Sequence, residues 1–278
     1  MSGLNQSMLT YFSALIEKET GIQYNEVNAH HLNSRLNDLS KFLNFSDAEL
    51  MWADVQKNGL KSAVKSLILD MATNNETSFF RDANVFEFFK THFISKIMSA
   101  KDKVRIWCAA TSTGQEPYTI ALIMAELKQA GVNKSYEIVC TDISERVLKQ
   151  AASGIYSQLE IQRGLPAPLL IKYFDQVTTE SSQLPSYKAK SELSAHMSFS
   201  RLNLLEPFPS MEKFDIIFCR NVLIYQNVEN KKNVISRFAS VLNSGGYLVL
   251  GGAESLLGLS SDYLMEQYGN ACVYKLKN

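Results

Sequence analysis

The 278 residues carry 28 Lys plus Arg against 28 Asp plus Glu, a formal net charge of +0. That balance gives no support to a large nucleic-acid-binding surface, and the 46% hydrophobic content is ordinary for a globular chain with a large core and a smaller helical partner. No apolar run is long enough to span a bilayer, the N-terminal MSGLNQSMLT lacks the basic start and apolar run of a secretory signal, and the four cysteines form no close metal-ligand pair; a reduced, cytoplasmic protein is expected.

Residues 1–71 read as a helical bundle. Leu9, Phe12, Leu15 and Ile16 follow a helical spacing, and a second helix is predicted from about Glu26 to Leu39 with Val27, Leu32 and Leu36. Ser46 stands three residues before Glu49, a capping-box pattern that would open a helix through Leu50–Val55. A fourth helix is predicted over Leu60–Met71. Residues 72–84 form a polar, then aromatic, then basic linker, and an apolar pattern resumes over 84–98.

From residue 103 the rhythm becomes strand–helix–strand–helix, the mark of a parallel sheet with covering helices. Val104–Ala109 and Tyr136–Thr141 are strands, joined by a turn at Thr111–Glu116 and a helix with Pro117 in its first turn. Residues 153–200 are too long for a crossover loop and read as an inserted subdomain, with a helix around Pro168–Phe174 and short antiparallel strands. Phe214–Cys219 is a central strand, Val228–Leu242 a helix, Ser244–Gly246 a turn and Tyr247–Gly251 a strand. Tyr268–Leu276 would close the sheet as an edge strand.

The informative chemistry lies in Trp107-Cys-Ala-Ala-Thr-Ser-Thr-Gly-Gln-Glu-Pro-Tyr118. A turn at the C-terminal end of a parallel strand, opening a helix, is a natural ligand site. Gly114 can take backbone angles closed to other residues. The run lacks both the dinucleotide glycine pattern and the lysine of a triphosphate loop, which argues against a nicotinamide oxidoreductase. The Glu116 carboxylate would repel a diphosphate and suits a ligand with an amino group; equally, it favours the helix dipole. Asp142 ends the next strand, where it either accepts bonds from ribose hydroxyls or caps the helix starting near Ser144. Together Gly114, Glu116 and Asp142 favour an adenosine ligand with a cationic tail.

Three blocks then carry a specific resemblance: Asn75-Glu-Thr-Ser-Phe-Phe-Arg-Asp82, Arg105 through Tyr118, and Phe218-Cys-Arg-Asn-Val-Leu-Ile-Tyr225. With Thr141–Ile143, Gly154–Tyr156, Arg163–Pro166, Asn203–Leu204 and Gly245–Tyr247 between and after them, the chain resembles the CheR family of chemotaxis-receptor glutamate O-methyltransferases. The resemblance implies a Rossmann-like class I methyltransferase domain over 85–278, an N-terminal helical receptor-recognition domain, an inserted antiparallel β-subdomain and S-adenosylmethionine as methyl donor, with S-adenosylhomocysteine as product and no metal. It implies that Asn75, Thr77 and Arg81 close over the cofactor. Ala109 and Glu116 would form its first contact turn, Asp142 would bind the ribose, and Asn203 and Leu204 would lie beside the adenine. Asn221 and Leu223 would lie near the methionine portion and Tyr225 beside the transferred methyl. Arg35 matches a receptor-contacting arginine, although Asn37, Asp38 and Leu39 stand where relatives often carry further arginines.

The implied partner is the cytoplasmic helical region of transmembrane chemotaxis receptors, with the inserted subdomain a possible dock for a receptor C-terminal peptide, and a monomer is expected. The planar fork of Arg81 can hold a carboxylate of either cofactor or substrate, or pair with Asp82 or Glu87 at the surface. Phe79 and Phe80 read as core anchors, and Tyr225 as a methyl-acceptor orienter or a packing tyrosine. Arg220 could bind substrate or brace the following turn. The competing readings are a methyltransferase of another signalling protein or small molecule, and a noncatalytic adaptor that kept the fold.

Overall fold

A computed structural model describes residues 5–24, 29–99, 101–178 and 184–278, and the chain divides into two compact units. The first is Met1–Asn74 with Tyr225–Lys231; the second is Asn75–Ile224 with Lys232–Asn278.

The first unit holds α1 (Gln6–Thr20), α2 (Ala29–Phe42), α3 (Ala48–Asn58) and α4 (Ser62–Ala72). Phe12, Ile16, Leu32, Leu36, Met51, Trp52, Val55 and Ile68 share one core, as the helical spacing requires. Asn5 caps α1 by accepting from Met8 N, and Gly21 ends it at φ 72° with its N–H on Glu17 O. Residues 25–28, including the expected start of the second helix at Glu26 and Val27, lie outside the described residues. The capping box at Ser46 is not formed. Asp47 caps α3 instead, its Oδ1 accepting from Leu50 N at 2.9 Å. A carboxylate is the better partner for the positive helix end, and with the start moved one residue, Glu49 stands too early to reach back.

The second unit begins with α5 (Ala83–Phe88), which runs directly into a π-helical stretch, Phe89–Ile97. Then come β1 (Lys103–Ala109), α6 (Gln115–Gln129), β2 (Ser135–Asp142), α7 (Glu145–Ser153), β3 (Ile155–Ser157), α8 (Gln158–Gln162) and α9 (Ala167–Tyr173). They are followed by β4 (Phe174–Val177), β5 (Ser186–Ala189), α10 (Ser191–Ser194), β6 (Met197–Arg201), β7 (Phe214–Cys219), α11 (Val228–Val241), β8 (Leu242–Leu250), β9 (Tyr263–Tyr268) and β10 (Ala271–Leu276). The main sheet has the order β6-β2-β1-β7-β8-β10-β9. Its first five strands are parallel, and β10 and β9 are antiparallel to their neighbours. The strands alternate between two cores. Ile106, Cys108, Ile216 and Phe218 face one, with α6 and the π-helical stretch; Trp107, Ile217, Cys219 and Leu248 face the other, with α11. Chain order reverses at β1 and β7, the switch point where ligands bind beyond the strand ends.

Three expectations are corrected. The inserted subdomain is a separate antiparallel sheet, β3-β5-β4, but it ends before Met197. Residues 197–200, expected inside the insert, belong to β6, which pairs in parallel with β2 up to Asp142↔Arg201. As an edge strand β6 buries no residue fully, so it leaves no clean alternation to read. Residues Tyr268–Leu276 are not a closing edge: a turn at Gly269, φ 59°, makes a hairpin, with β10 interior and β9 at the edge. The Ser244–Gly246 turn is a bulge within β8, where pairing with β7 jumps from Phe214↔Leu242 to Ile216↔Tyr247.

Candidate active site

The turn after β1 is shaped by its own backbone. Ala110 and Ser112 are left-handed at φ 62° and 53°, and Gly114 at φ 96° leads into α6. A β-carbon on Gly114 would lie 2.9 Å from both Ala151 Cβ and the Tyr156 hydroxyl. Tyr156, fully buried at the start of the inserted subdomain, donates to Thr113 O at 3.1 Å. From the neighbouring strand end, Asp142 accepts from Ser112 N (2.9 Å) and from Ser144 N (3.0 Å). Asp142 thus joins the first turn to the N-cap residue of α7 without itself capping that helix. The cap hydrogen bond on Val147 N itself comes from Ser144 Oγ.

The turn after β7 is shaped from a distance. Asn221 is left-handed at φ 59°, and its N–H, with those of Val222 and Ile224, donates to the carboxylate of Glu254. Arg220 is buried, its side chain 3% exposed; Nη1 donates to Glu116 Oε2 at 2.9 Å, and Nη2 donates to Asp82 Oδ2 and Arg81 O at 2.6 Å each. Arg220 therefore ties the start of α6 to the linker, so its brace reaches those segments rather than the turn that follows it. Burial, with the Glu116 carboxylate next, pushes the neighbouring Cys108 thiol well above its ordinary value.

The linker, Asn75–Asp82, lies across these two turns. Asn75 O accepts from Ser112 Oγ at 2.8 Å, and Phe80 N donates to Thr119 of α6 at 3.1 Å. Phe79 is a core anchor packed edge-on to Tyr156, with its carbonyl against Gly164, where a β-carbon would come within 2.1 Å. Arg81 donates to Glu76 O, curling the linker on itself, while Asp82, one of its expected surface partners, is bound to Arg220. Thr77 is half-buried in the same segment. Ala109 is buried at the end of β1 and Leu223 is buried just past β7. Asn203 follows β6 and turns the chain by accepting from Leu205 N, and Leu204 O accepts from Arg237. Asn75, Thr77, Arg81, Ala109, Glu116, Asp142, Asn203, Leu204, Asn221 and Leu223 all belong to the second unit.

Two candidates belong to the first unit. Tyr225 accepts from Asn74 Nδ2 at 3.0 Å. Arg35 turns inward: Nη1 donates to Tyr24 and to the carbonyls of Met71 and Ala72, each at 2.9 Å, satisfying the open C-terminal carbonyls of α4. Those bonds make half-buried Arg35 a brace of the bundle.

Five of the six non-glycine residues with positive φ among the described residues, Phe80, Asp82, Ala110, Ser112 and Asn221, lie in these turns and the linker. Strained backbone gathers at functional sites. Among the described residues, three buried side-chain atoms have no hydrogen-bond partner in the protein, and all lie here: Thr111 Oγ1, Arg220 Nε and Asn221 Oδ1. The last two, a donor and an acceptor left unsatisfied on adjacent residues, suit the zwitterionic head of an α-amino acid. The Arg220 guanidinium with the Glu116 and Asp82 carboxylates also leaves one negative charge in excess, which matches a donor bearing an ammonium and a sulfonium. The residues fit S-adenosylmethionine. Among the described residues no group of three His, Cys, Asp or Glu could hold a metal ion, and no helix is long and apolar enough to cross a membrane.

Sequence reasoning missed Glu254, Asp82 and Ser112, and left Arg220 undecided. The one local signal for Glu254 is its place after Gly251-Gly252 at the end of β8.

Residues 75–270 match the family model described as CheR methyltransferase, SAM binding domain. The chain is 36% identical over 269 residues to a chemotaxis protein methyltransferase of Vibrio parahaemolyticus, covering 96% of this chain and 95% of that one. It is 37% identical over 269 residues to one of Vibrio anguillarum, again covering 96% and 95%. With chemotaxis protein methyltransferase 1 of Pseudomonas aeruginosa it shares 32% over 271 residues, 96% of each chain.

Proposed function

The chain belongs to the CheR methyltransferase family, and from that premise we propose that this S-adenosylmethionine-dependent methyltransferase esterifies glutamate side chains in the cytoplasmic helical region of chemotaxis receptors. The observation that carries the reading is the pairing of Asp142 and Glu116 on either side of a strained turn at the sheet's switch point. That pairing suits an adenosine with a cationic tail, and the named relatives act in chemotaxis. We further propose the cytoplasm as its location, a monomer as its state, and a receptor C-terminal peptide as a ligand of the β3-β5-β4 sheet.

S-adenosylmethionine, when bound, supplies a methyl group on a sulfonium: the glutamate oxygen forms the new O–C bond as the S–C bond breaks and its electron pair stays on sulfur, giving the methyl ester and S-adenosylhomocysteine. A glutamate with an ordinary pKa of about 4.3 is already ionised at neutral pH, so no general base is needed. The protein's work is alignment and exclusion of water. Asp142 takes the ribose hydroxyls. Glu116 and Asn221 receive the methionine ammonium, and Asn203 with Leu204 borders the adenine. Asn75, Thr77 and Arg81 close the linker over the site, with Arg81 securing a carboxylate. Tyr225 is assigned the orientation of the acceptor from its place in the third matching sequence block. Ester formation removes one negative charge from the receptor, enough to bias a bistable signalling element.

The test is transfer of labelled methyl from S-adenosylmethionine to receptor cytoplasmic fragments, followed by peptide mapping. An alkali-labile ester on glutamate is expected; label that resists alkali, or that enters only small molecules, overturns the assignment. Tyr225→Phe is expected to lower kcat by about tenfold or more, the range for removing one positioned hydrogen bond. Full transfer with unchanged donor affinity would remove its polar role.

A further inference from the structure

One carboxylate holds the ends of two strands. Glu254 Oε2 accepts from Asn221 N at 2.8 Å and Gly251 N at 2.7 Å, while Oε1 accepts from Val222 N at 2.9 Å and Ile224 N at 3.1 Å. Four backbone donors on two anionic oxygens use the full acceptor capacity of an ionised carboxylate. Asn221 is left-handed, a conformation that costs about 1–3 kcal/mol unless its surroundings fix it. Its side chain lies against Gly251, where a β-carbon would come within 2.7 Å of Nδ2 and 2.8 Å of Asn221 N. The carboxamide is thus packed from one side and leaves Oδ1 buried and unpaired.

We propose that Glu254 is a positioning residue for the methyl donor: its clamp on the amides of Asn221, Val222, Ile224 and Gly251 fixes the left-handed turn that aims Asn221 Oδ1 at the donor's ammonium group. This rests on the assignment of Asn221 to the methionine portion. Glu254 acts through Asn221 and touches neither the methyl nor the acceptor. Glutamine has the same size but presents an NH2 to two N–H donors, so whichever end it turns, half of the clamp becomes donor against donor.

The test is calorimetric binding of S-adenosylhomocysteine to the full chain. Glu254→Gln is expected to raise Kd about tenfold, the loss expected for a misplaced hydrogen bond to a charged group. The KM for S-adenosylmethionine should rise with it, while the KM for a receptor fragment stays within twofold. Gly251→Ala, whose β-carbon would meet both the carboxamide and the Asn221 amide that Glu254 holds, is expected to raise Kd by a similar factor. In an Asn221→Ala background, Glu254→Gln should add less than twofold. An unchanged Kd in Glu254→Gln, or an equal loss with and without Asn221, overturns the proposal. If Asn221→Ala alone leaves Kd unchanged while Asp142→Ala abolishes binding, the assignment of Asn221 fails and the site survives. If the unmodified chain binds no S-adenosylhomocysteine, the functional reading falls first.

Discussion

The turns that follow β1 and β7 stand side by side at the switch point, yet they are built in opposite ways. The turn after β1 is made from small residues and its own dihedral angles, with Gly114 at φ 96° and nearby support from Asp142. The turn after β7 keeps a strained Asn221 because Glu254, beyond the next strand, and the linker carboxylate Asp82 hold its flanks. One turn is specified by sterics and the other by charge. Close backbone approach to a ligand needs the first kind of construction, and orienting a side chain toward a charged head needs the second.

The largest expected effect breaks the charged turn. Arg220→Ala leaves the Glu116 carboxylate, 12% exposed, without its cation and should destabilise the sheet unit by roughly 3–5 kcal/mol. Its thermal midpoint should then fall by about 10 °C in calorimetry. A fall of only a degree or two would mean the turn is not held by charge. Gly114→Val attacks the other turn. Valine resists positive φ and its β-carbon meets Ala151 and Tyr156, so a loss of about 2 kcal/mol and more than tenfold weaker S-adenosylhomocysteine binding are expected. Unchanged binding would remove the steric half of the contrast.

The smallest effect separates the two turns by thiol chemistry, since Cys108 and Cys219 sit just before them. Burial pushes both thiols well above the ordinary value of 9.0, with Glu116 next at Cys108 and Glu254 next at Cys219. The folded state therefore holds those protons more tightly than the unfolded chain. The stability they contribute is complete below the ordinary thiol range and drains as pH rises above it. Half-buried Cys272 should label first with a maleimide. Glu254→Gln should speed labelling at Cys219 without speeding it at Cys108; equal acceleration at both would show that the turns open together.

The same contrast governs what the sequence reveals. The turn after β1 was legible, because small residues, a glycine and a carboxylate at the next strand end are local signals. The bundle was legible from the spacing of Phe12, Ile16, Leu32 and Leu36. Strand β6 was not, because an edge strand that buries little carries no period. The β9–β10 hairpin was missed although Gly269 marks its turn, since exposed Leu264 and Met265 blur the alternation before it. The partners of Arg220 and Glu254 stand 104 residues back, at Glu116, and 33 residues back, at Asn221. No spacing rule reaches that far. The internal bonds of Arg35 were likewise hidden, because the carbonyls it meets at the end of α4 stand 36 and 37 residues away.

The inserted subdomain meets the turn after β1 and the linker at several points: the Tyr156 hydroxyl on Thr113 O, the Tyr156 and Phe174 rings edge-on to Phe79, the bare α-carbon of Gly164 under Phe79 O, and Arg163 paired with Glu76. Phe174 opens the edge strand β4 and is buried, whereas Asp175 and Gln176 further along it are exposed. Such an arrangement separates inheritance from novelty. Mutations at the exposed positions of that edge strand can accumulate, while the buried contacts on Phe79 and Thr113 hold the turn and linker in place.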